Sequence, residues 1–120
     1  PSVKDLNEAL TFYREKLGFN EVIRNPNGMS AYIQVSRDTF VELAPASPTR
    51  RAGIDHFGLE VENVRTATDA LRQRGVKVED PRKGRTVTTI TTTTDPTGVR
   101  MELSELGPDS TLGKAIANWK

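Results

Sequence analysis

Three ionisable side chains of this sequence have the types and positions of a metal-ligand set. His56 is the single histidine and lies in the segment IDHFGLEV, while Glu42 and Glu102 lie in TFVELAPA and VRMELSEL. Imidazole and carboxylate ligands without sulfur suit divalent Ni, Co, Mn, Fe or Zn, and the residue types alone do not choose among these metals. A metal held in this way acts as a Lewis acid on substrate oxygens.

Each of the three residues also has a simpler interpretation. A single histidine in a strand is more often structural or exposed than a ligand. A strand glutamate between apolar neighbours can simply face solvent, because inward and outward positions alternate. The matched placement of Glu42 and Glu102 in the two halves of the chain favours the functional interpretation.

The first half of the chain predicts a helix followed by three strands. Asp5 caps the helix, Glu8 completes a capping box, and Gly18 ends it. The apolar residues of this helix share one face at helical spacing: Leu6, Ala9, Leu10, Tyr13 and Leu17. Strands are predicted at 19–24, 29–35 and 39–44, with turn residues at 25–28.

The second half repeats this order and adds a strand before the helix. That strand, at 53–61, carries His56, and the helix runs from Asn63 to Gly75. Three further strands are predicted at 76–79, 86–93 and 99–103, followed by a weak helix at 112–120. The middle strand is rich in threonine, and its alternate hydroxyl groups are expected to face a cleft.

Corresponding positions in the two halves keep a nearly constant spacing. Asp5 matches Asn63, Gly18 matches Gly75, and Glu42 matches Glu102, with offsets of 57 to 60 residues. This spacing indicates an internal duplication. The alternation of helix and several strands predicts an α+β fold with helices outside and a shared cleft inside. We expect module one at 1–45, a linker at 46–52, module two at 53–106 and a tail at 107–120.

Composition excludes several classes of function. With 120 residues, 17 basic and 16 acidic, the chain has the size of one domain and a net charge of +1, which gives no reason to expect a nucleic-acid partner. The absence of cysteine excludes disulfides and is compatible with a cytoplasmic protein, and no apolar run has the length of a membrane span. The basic clusters at 50–51 and 82–85 are expected to be solvated loops.

Three segments resemble, in order, parts of the vicinal oxygen chelate superfamily, which includes glyoxalases, bleomycin-resistance proteins and extradiol dioxygenases. They are VKDLNEALTFYREKLGFNEV, DHFGLEVENV and TTDPTGVRMELSE, and the resemblance covers the chain through Leu106. It implies two tandem βαβββ modules that form a curved mixed sheet around a cleft. Because the sequence begins so close to the first helix, we expect the first strand of module one to be missing from this chain.

The resemblance also implies a ligand for each matching position. Glu42 corresponds to the last-strand ligand of module one, and His56 and Glu102 correspond to the first-strand and last-strand ligands of module two. A fourth ligand would belong to the first strand of module one. Glu102 or Glu42 would also be the catalytic base, because a carboxylate can leave a metal and take a proton.

The resemblance leaves three functions open. The first is a metal-dependent enzyme of the glyoxalase or dioxygenase type, with isomerase, lyase or oxygenase chemistry on a small substrate with vicinal oxygens. The second is a metal-free protein that binds a small molecule such as an antibiotic and confers resistance. The third is an inactive, truncated module whose exposed sheet edge promotes dimerisation or aggregation. By resemblance, a homodimer is expected.

Overall fold

A computed structural model describes residues 1–26, 29–84 and 86–120 of the chain. These residues form two compact units, one of Pro1–Asp55 with Ala115–Lys120 and the other of His56–Lys114. Residues 27 and 28 of the predicted turn, and Arg85 of the basic cluster at 82–85, lie outside the described residues. None of the helices in the described part of the chain has the length and apolarity that a membrane crossing requires.

The first unit contains a four-stranded sheet and one helix. Its elements are β1 (Ser2–Val3), α1 (Leu6–Thr11) with a π-helical continuation (Phe12–Lys16), β2 (Asn20–Arg24), β3 (Ala31–Ser36) and β4 (Thr39–Pro45). The strand order is β1-β4-β3-β2. Strand β1 is parallel to β4, and the other neighbours are antiparallel.

The second unit repeats this arrangement. Its elements are β5 (His56–Glu60), α2 (Val64–Gln73), β6 (Arg82–Lys83), β7 (Thr89–Thr94) and β8 (Arg100–Glu105), and α3 (Thr111–Ala117) follows. The strand order is β5-β8-β7-β6, again with the first strand parallel to the last. The predicted α+β fold of two tandem βαβββ modules is therefore confirmed.

The prediction that module one lacks its first strand is wrong. Strand β1 lies beside β4 as β5 lies beside β8, with Ser2 opposite Ala44. Strand β1 has only two residues, too few for the sequence to show an alternating pattern. It is identified by its backbone hydrogen bonds, since Ala46 N donates to Val3 O at 2.7 Å. In this register the position that matches His56 falls before Pro1.

The segment 76–79, predicted as a strand, does not form one. The strand beside β7 is instead the two-residue β6. Residues 76–79 still run along β7, because Glu79 N donates to Thr92 O at 3.0 Å and Thr93 Oγ1 donates to Lys77 O at 2.7 Å. Threonine hydroxyl groups thus replace part of a backbone ladder, which a strand pattern in the sequence does not reveal.

The first helix begins and ends where the sequence predicts, but its last turn is wider. Asp5 Oδ1 accepts from Glu8 N at 2.9 Å, and Gly18 has a φ of 76°. Leu17 N donates to Phe12 O, five residues back, at 3.0 Å. This extra residue rotates Leu17 off the apolar face, and its exposure of 46% contradicts its predicted place there.

The core of the first unit lies between its helix and its sheet. Four buried side chains form it, and Val3, Leu6, Tyr13 and other apolar residues pack around them: Leu10, Ala31, Ile33 and Leu43. In the second unit, Val64 and Thr68 are buried on α2, and Leu103 and Thr91 are buried on the sheet. In each unit the helix therefore covers one face of the sheet.

Candidate functional site

Strand register brings three ionisable residues to one face of the second sheet. Because Leu103 is buried on the face that α2 covers, Glu102 and Arg100 point to the opposite face. His56 lies opposite Arg100 on the neighbouring strand, and Thr92 lies opposite Glu102 on the other side. His56, Arg100 and Glu102 therefore share the sheet face opposite the one that α2 covers.

His56 and Glu102 are close enough to act together. The distance from His56 Nε2 to Glu102 Oε1 is 3.8 Å, and the side chains are 14% and 24% exposed. Two ligand atoms that each lie about 2.1 Å from one zinc ion are about 3 to 4 Å apart. The spacing and chemistry of this pair therefore fit two ligands of a divalent transition metal.

Arg100 is a site residue that the sequence reasoning missed. Its Nη1 atom lies 3.5 Å from Glu102 Oε1, the same oxygen that faces His56, and its side chain is 41% exposed. Its position two residues before Glu102 was the signal that could have revealed it, since alternate strand residues share a face. The guanidinium group offsets the carboxylate charge and would compete with a cation for that oxygen.

Glu42 has the equivalent position in the first unit. Leu43, the next residue, is buried in the core under α1, so Glu42 points to the face of its sheet that α1 does not cover. It lies opposite Tyr32 on β3 and is half-buried. Glu42 and Glu102 thus have matching places in their units, as the duplication predicts.

Threonine hydroxyl groups of β7 extend the polar surface around Glu102. Thr92 and Thr94 lie on the same face as Glu102 and Arg100. The Thr92 hydroxyl donates to the carboxylate of Glu79, whose Oε2 atom is 3.5 Å from Arg82 Nη1. Sequence reasoning missed Glu79, since only the tertiary contact with β7 relates it to this face.

The three predicted ligands are divided between the two units, with Glu42 in the first and His56 and Glu102 in the second. Within residues 1–26, 29–84 and 86–120, no three His, Asp or Glu side chains meet the geometry of a common metal site. The structure brings His56 and Glu102 together, and Glu42 belongs to the other unit.

Comparisons with known proteins agree with this fold. A methylmalonyl-CoA epimerase from Mycobacterium tuberculosis is 26% identical, with 86% of this chain and 81% of that chain covered and a TM-score of 0.68. A selenomethionine methylmalonyl-CoA epimerase is also 26% identical, with 86% and 88% covered and a TM-score of 0.68. A hypothetical protein from Bacillus halodurans C-125, 18% identical, shares the fold with a TM-score of 0.70 over 86% and 87% of the two chains.

No curated protein matches the sequence. The family model described as the Glyoxalase/Bleomycin resistance protein/Dioxygenase superfamily matches residues 2–103. That match spans both βαβββ modules and includes Glu42, His56 and Glu102. The chain therefore belongs to the glyoxalase/bleomycin resistance protein/dioxygenase superfamily.

Proposed function

We propose that this protein is a metal-dependent enzyme that acts on a small substrate with vicinal oxygens. The observation that carries the proposal is the half-buried pair of His56 and Glu102 on the sheet face opposite α2, with Nε2 and Oε1 3.8 Å apart. Two similar structures are methylmalonyl-CoA epimerases, which favours isomerase chemistry over lyase or oxygenase chemistry. The reaction we infer is proton transfer at a carbon next to a carbonyl group.

His56, Glu102 and Glu42 are the proposed ligands of a divalent Ni, Zn, Fe, Mn or Co ion. Nitrogen and carboxylate donors without sulfur suit these metals. The bound ion would supply Lewis-acid polarisation of substrate oxygens. His56 would contribute an imidazole nitrogen, and each glutamate would contribute a carboxylate oxygen from the last strand of its module.

Proton transfer requires a group that takes a proton from carbon and a group that returns one. Glu102 and Glu42 are the proposed acid–base residues, because carboxylates can do both. In the first step the C–H bond breaks, the carboxylate takes the proton, and the electron pair moves to the carbonyl oxygen. In the second step a glutamate carboxyl group returns a proton to that carbon, and the electron pair forms the new C–H bond, so no oxidant or reductant is needed.

Metal content is the first test of this proposal. The wild-type protein, incubated with each metal and freed of excess, is expected to retain near-stoichiometric metal by elemental analysis. His56→Ala and Glu102→Gln should each lose most of it, since removing a ligand leaves too few donors. Asp69→Asn changes an exposed carboxylate on α2 and should retain the metal of the wild type.

The same variants test the chemistry. Glu102→Gln should slow exchange of the substrate α-proton with deuterium by about 100-fold or more, the usual contribution of an acid–base residue. Methylmalonyl-CoA is the first substrate to try, followed by 2-oxoaldehyde adducts. Retention of metal by His56→Ala would refute the ligand assignment, and unchanged exchange in Glu102→Gln would refute its catalytic role.

A metal-free small-molecule binding or resistance protein is the second candidate function. It is favoured by Arg100, whose guanidinium group already contacts the Glu102 oxygen that a metal would use. Such a protein would be stabilised against heat by its ligand in the presence of a chelator. Stabilisation that requires added metal would exclude this candidate.

We also propose that the protein works as a cytoplasmic homodimer without a nucleic-acid partner. The absence of cysteine and the net charge of +1 support the location and the lack of a nucleic-acid partner. The dimer rests on the family resemblance. A monomer in sedimentation at micromolar concentration would contradict it.

A further inference from the structure

Arg100 differs from the arginines that stabilise the fold. Arg24 donates to Glu21 through two nitrogens, at 2.6 and 2.9 Å, and Arg72 Nη2 donates to Val78 O and Asp80 Oδ1 at 2.9 and 2.8 Å. The contact of Arg100 with Glu102 is 3.5 Å, longer than the roughly 2.7–2.9 Å of a charge-assisted hydrogen bond. Its guanidinium group is thus held loosely, and within the described part of the chain most of its five N–H donors remain for a ligand.

The position of Arg100 also places its charge beside the proposed chemistry. It is the strand neighbour of His56 and lies on the same sheet face, with 41% of its side chain exposed. Thr94, opposite Arg100 on β7, lies on that face as well. A ligand that reaches His56 and Glu102 would therefore meet a guanidinium group at the edge of the same surface.

The charges of the proposed ligand set and Arg100 favour an anionic ligand. If Glu102 binds a divalent ion, the ion competes with Arg100 for the Glu102 carboxylate. Two ligand carboxylates, one dication and one guanidinium group then carry a net charge of +1, which an anionic substrate group neutralises. The planar guanidinium fork matches the two oxygens of a carboxylate.

We propose that Arg100 binds a carboxylate of the substrate, so that the site selects carboxylic acids whose carbonyl oxygen lies near the His56–Glu102 pair. This inference rests on the proposed function, since it requires that the face of His56 and Glu102 is where the substrate binds. It specifies the substrate class more narrowly, as an acid with a free carboxylate and a second oxygen close by. Arg100 would set affinity and orientation.

Calorimetric titration with malonate, and with its neutral diamide malonamide as the matched probe, tests the inference. Metal-treated wild type should bind malonate and bind malonamide at least tenfold more weakly. Arg100→Gln should weaken malonate binding at least tenfold, and Arg100→Lys, which retains the charge but not the fork, should weaken it less. Arg65→Gln, an exposed arginine on α2, is the matched control and should bind malonate as the wild type does.

Metal analysis of the same samples separates this inference from the proposed function. Arg100→Gln should retain its metal, so that loss of malonate binding reports the missing guanidinium group. Malonate binding that depends on Arg100 in a protein without metal would support the anion site and count against the metal-dependent enzyme. Equal malonate binding by Arg100→Gln and wild type, or none by either, would overturn the inference.

Discussion

The role of Glu102 depends on two neighbours on the same sheet face, His56 and Arg100. One of its oxygens lies 3.8 Å from His56 Nε2 and 3.5 Å from Arg100 Nη1. The imidazole makes the pair suitable for a metal, whereas the guanidinium group makes it suitable for an anion or a metal-free site. Variants of these two neighbours therefore separate the two candidate functions better than variants of Glu102 itself.

Asp95 has a different role, in the turn that leads into β8. Its Oδ1 atom accepts from Thr97 N, Thr97 Oγ1 and Val99 N at 2.8, 2.7 and 2.9 Å. Val99 is the residue immediately before Arg100. The hydrogen bond from the Thr97 side chain, and then those from backbone N–H groups, lower the pKa of Asp95 below its usual value. The ionised carboxylate thus favours the turn that starts the site-bearing strand.

We predict that Asp95→Asn removes part of the acid sensitivity of the fold. Because the pKa of Asp95 is lower in the folded than in the unfolded protein, its ionised carboxylate stabilises the fold at pH values above the unfolded-state pKa. This stabilisation is lost as the pH falls through the folded-state pKa. Urea unfolding at several pH values between about 6 and 3 should therefore show a shallower loss of stability in the variant. Asp69→Asn is the control, and an unchanged slope in Asp95→Asn would contradict the prediction.

At the scale of elements, caps and close approaches determine where each element begins and ends. Asn63 Oδ1 accepts from Thr66 N at 2.9 Å, and Glu105 Oε2 accepts from Val64 N at 3.0 Å, so the end of β8 helps to start α2. Helix α3 begins similarly, because the buried Ser110 accepts from Gly113 N at 3.0 Å and donates to Gly107 O at 2.7 Å. These contacts make the predicted weak tail helix a defined element.

We predict that Gly113→Ala destabilises this helix start. A Cβ atom at Gly113 would lie 2.4 Å from Gly107 O and 2.8 Å from Ser110 Oγ, which forces the backbone apart. The cost should be about 1–3 kcal/mol in the free energy of unfolding, measured in urea. Gly107→Ala is the matched control, since a Cβ atom there meets nothing within 4 Å, and equal stabilities of the two variants would refute the prediction.

At the scale of the whole molecule, the chain does not divide into units at a single point. Residues 115–120 belong to the first unit, although they follow the second in sequence. Gln34, which is 5% exposed, donates through Nε2 to Arg37 O at 3.0 Å and to Ala115 O at 3.2 Å. The buried Gln34 amide thus holds residues 115–120. Their release would leave this amide group without a hydrogen-bond partner in the tail, and the free-energy cost of that loss opposes the release.

We predict that Gln34→Ala loosens the tail without unfolding the sheet. The carbonyl group of Ala115 loses its partner, which costs about 1–3 kcal/mol locally. Trypsin should then cleave faster after the exposed Lys114, with the released peptide followed by mass spectrometry. Gln73→Ala, at the end of α2, is the control, and equal cleavage of both variants would show that Gln34 does not hold the tail.

The elements of this protein follow from local sequence, whereas the site depends on strand register. Asp5 and Asn63 each cap a helix through an N–H group three residues away, and Gly18 and Gly75 have positive φ values, so their roles depend on short segments alone. These local signals, repeated at a constant spacing, were sufficient to predict the duplication and the α+β class. They could not predict the π-helical turn before Leu17, which depends on a backbone bond pattern that no apolar spacing specifies.

By itself, the sequence determined the caps of the first two helices, the α+β class and the matched glutamates of the two halves, because these depend on patterns of residues within one half of the chain. Only the tertiary structure decided that Ser2–Val3 completes the first sheet, that 76–79 is not a strand, and that Arg100 joins His56 and Glu102. Each of these depends on which backbone groups of distant segments pair. Such pairing is selected by packing and hydrogen bonds over the whole fold, and neighbouring residues do not encode it.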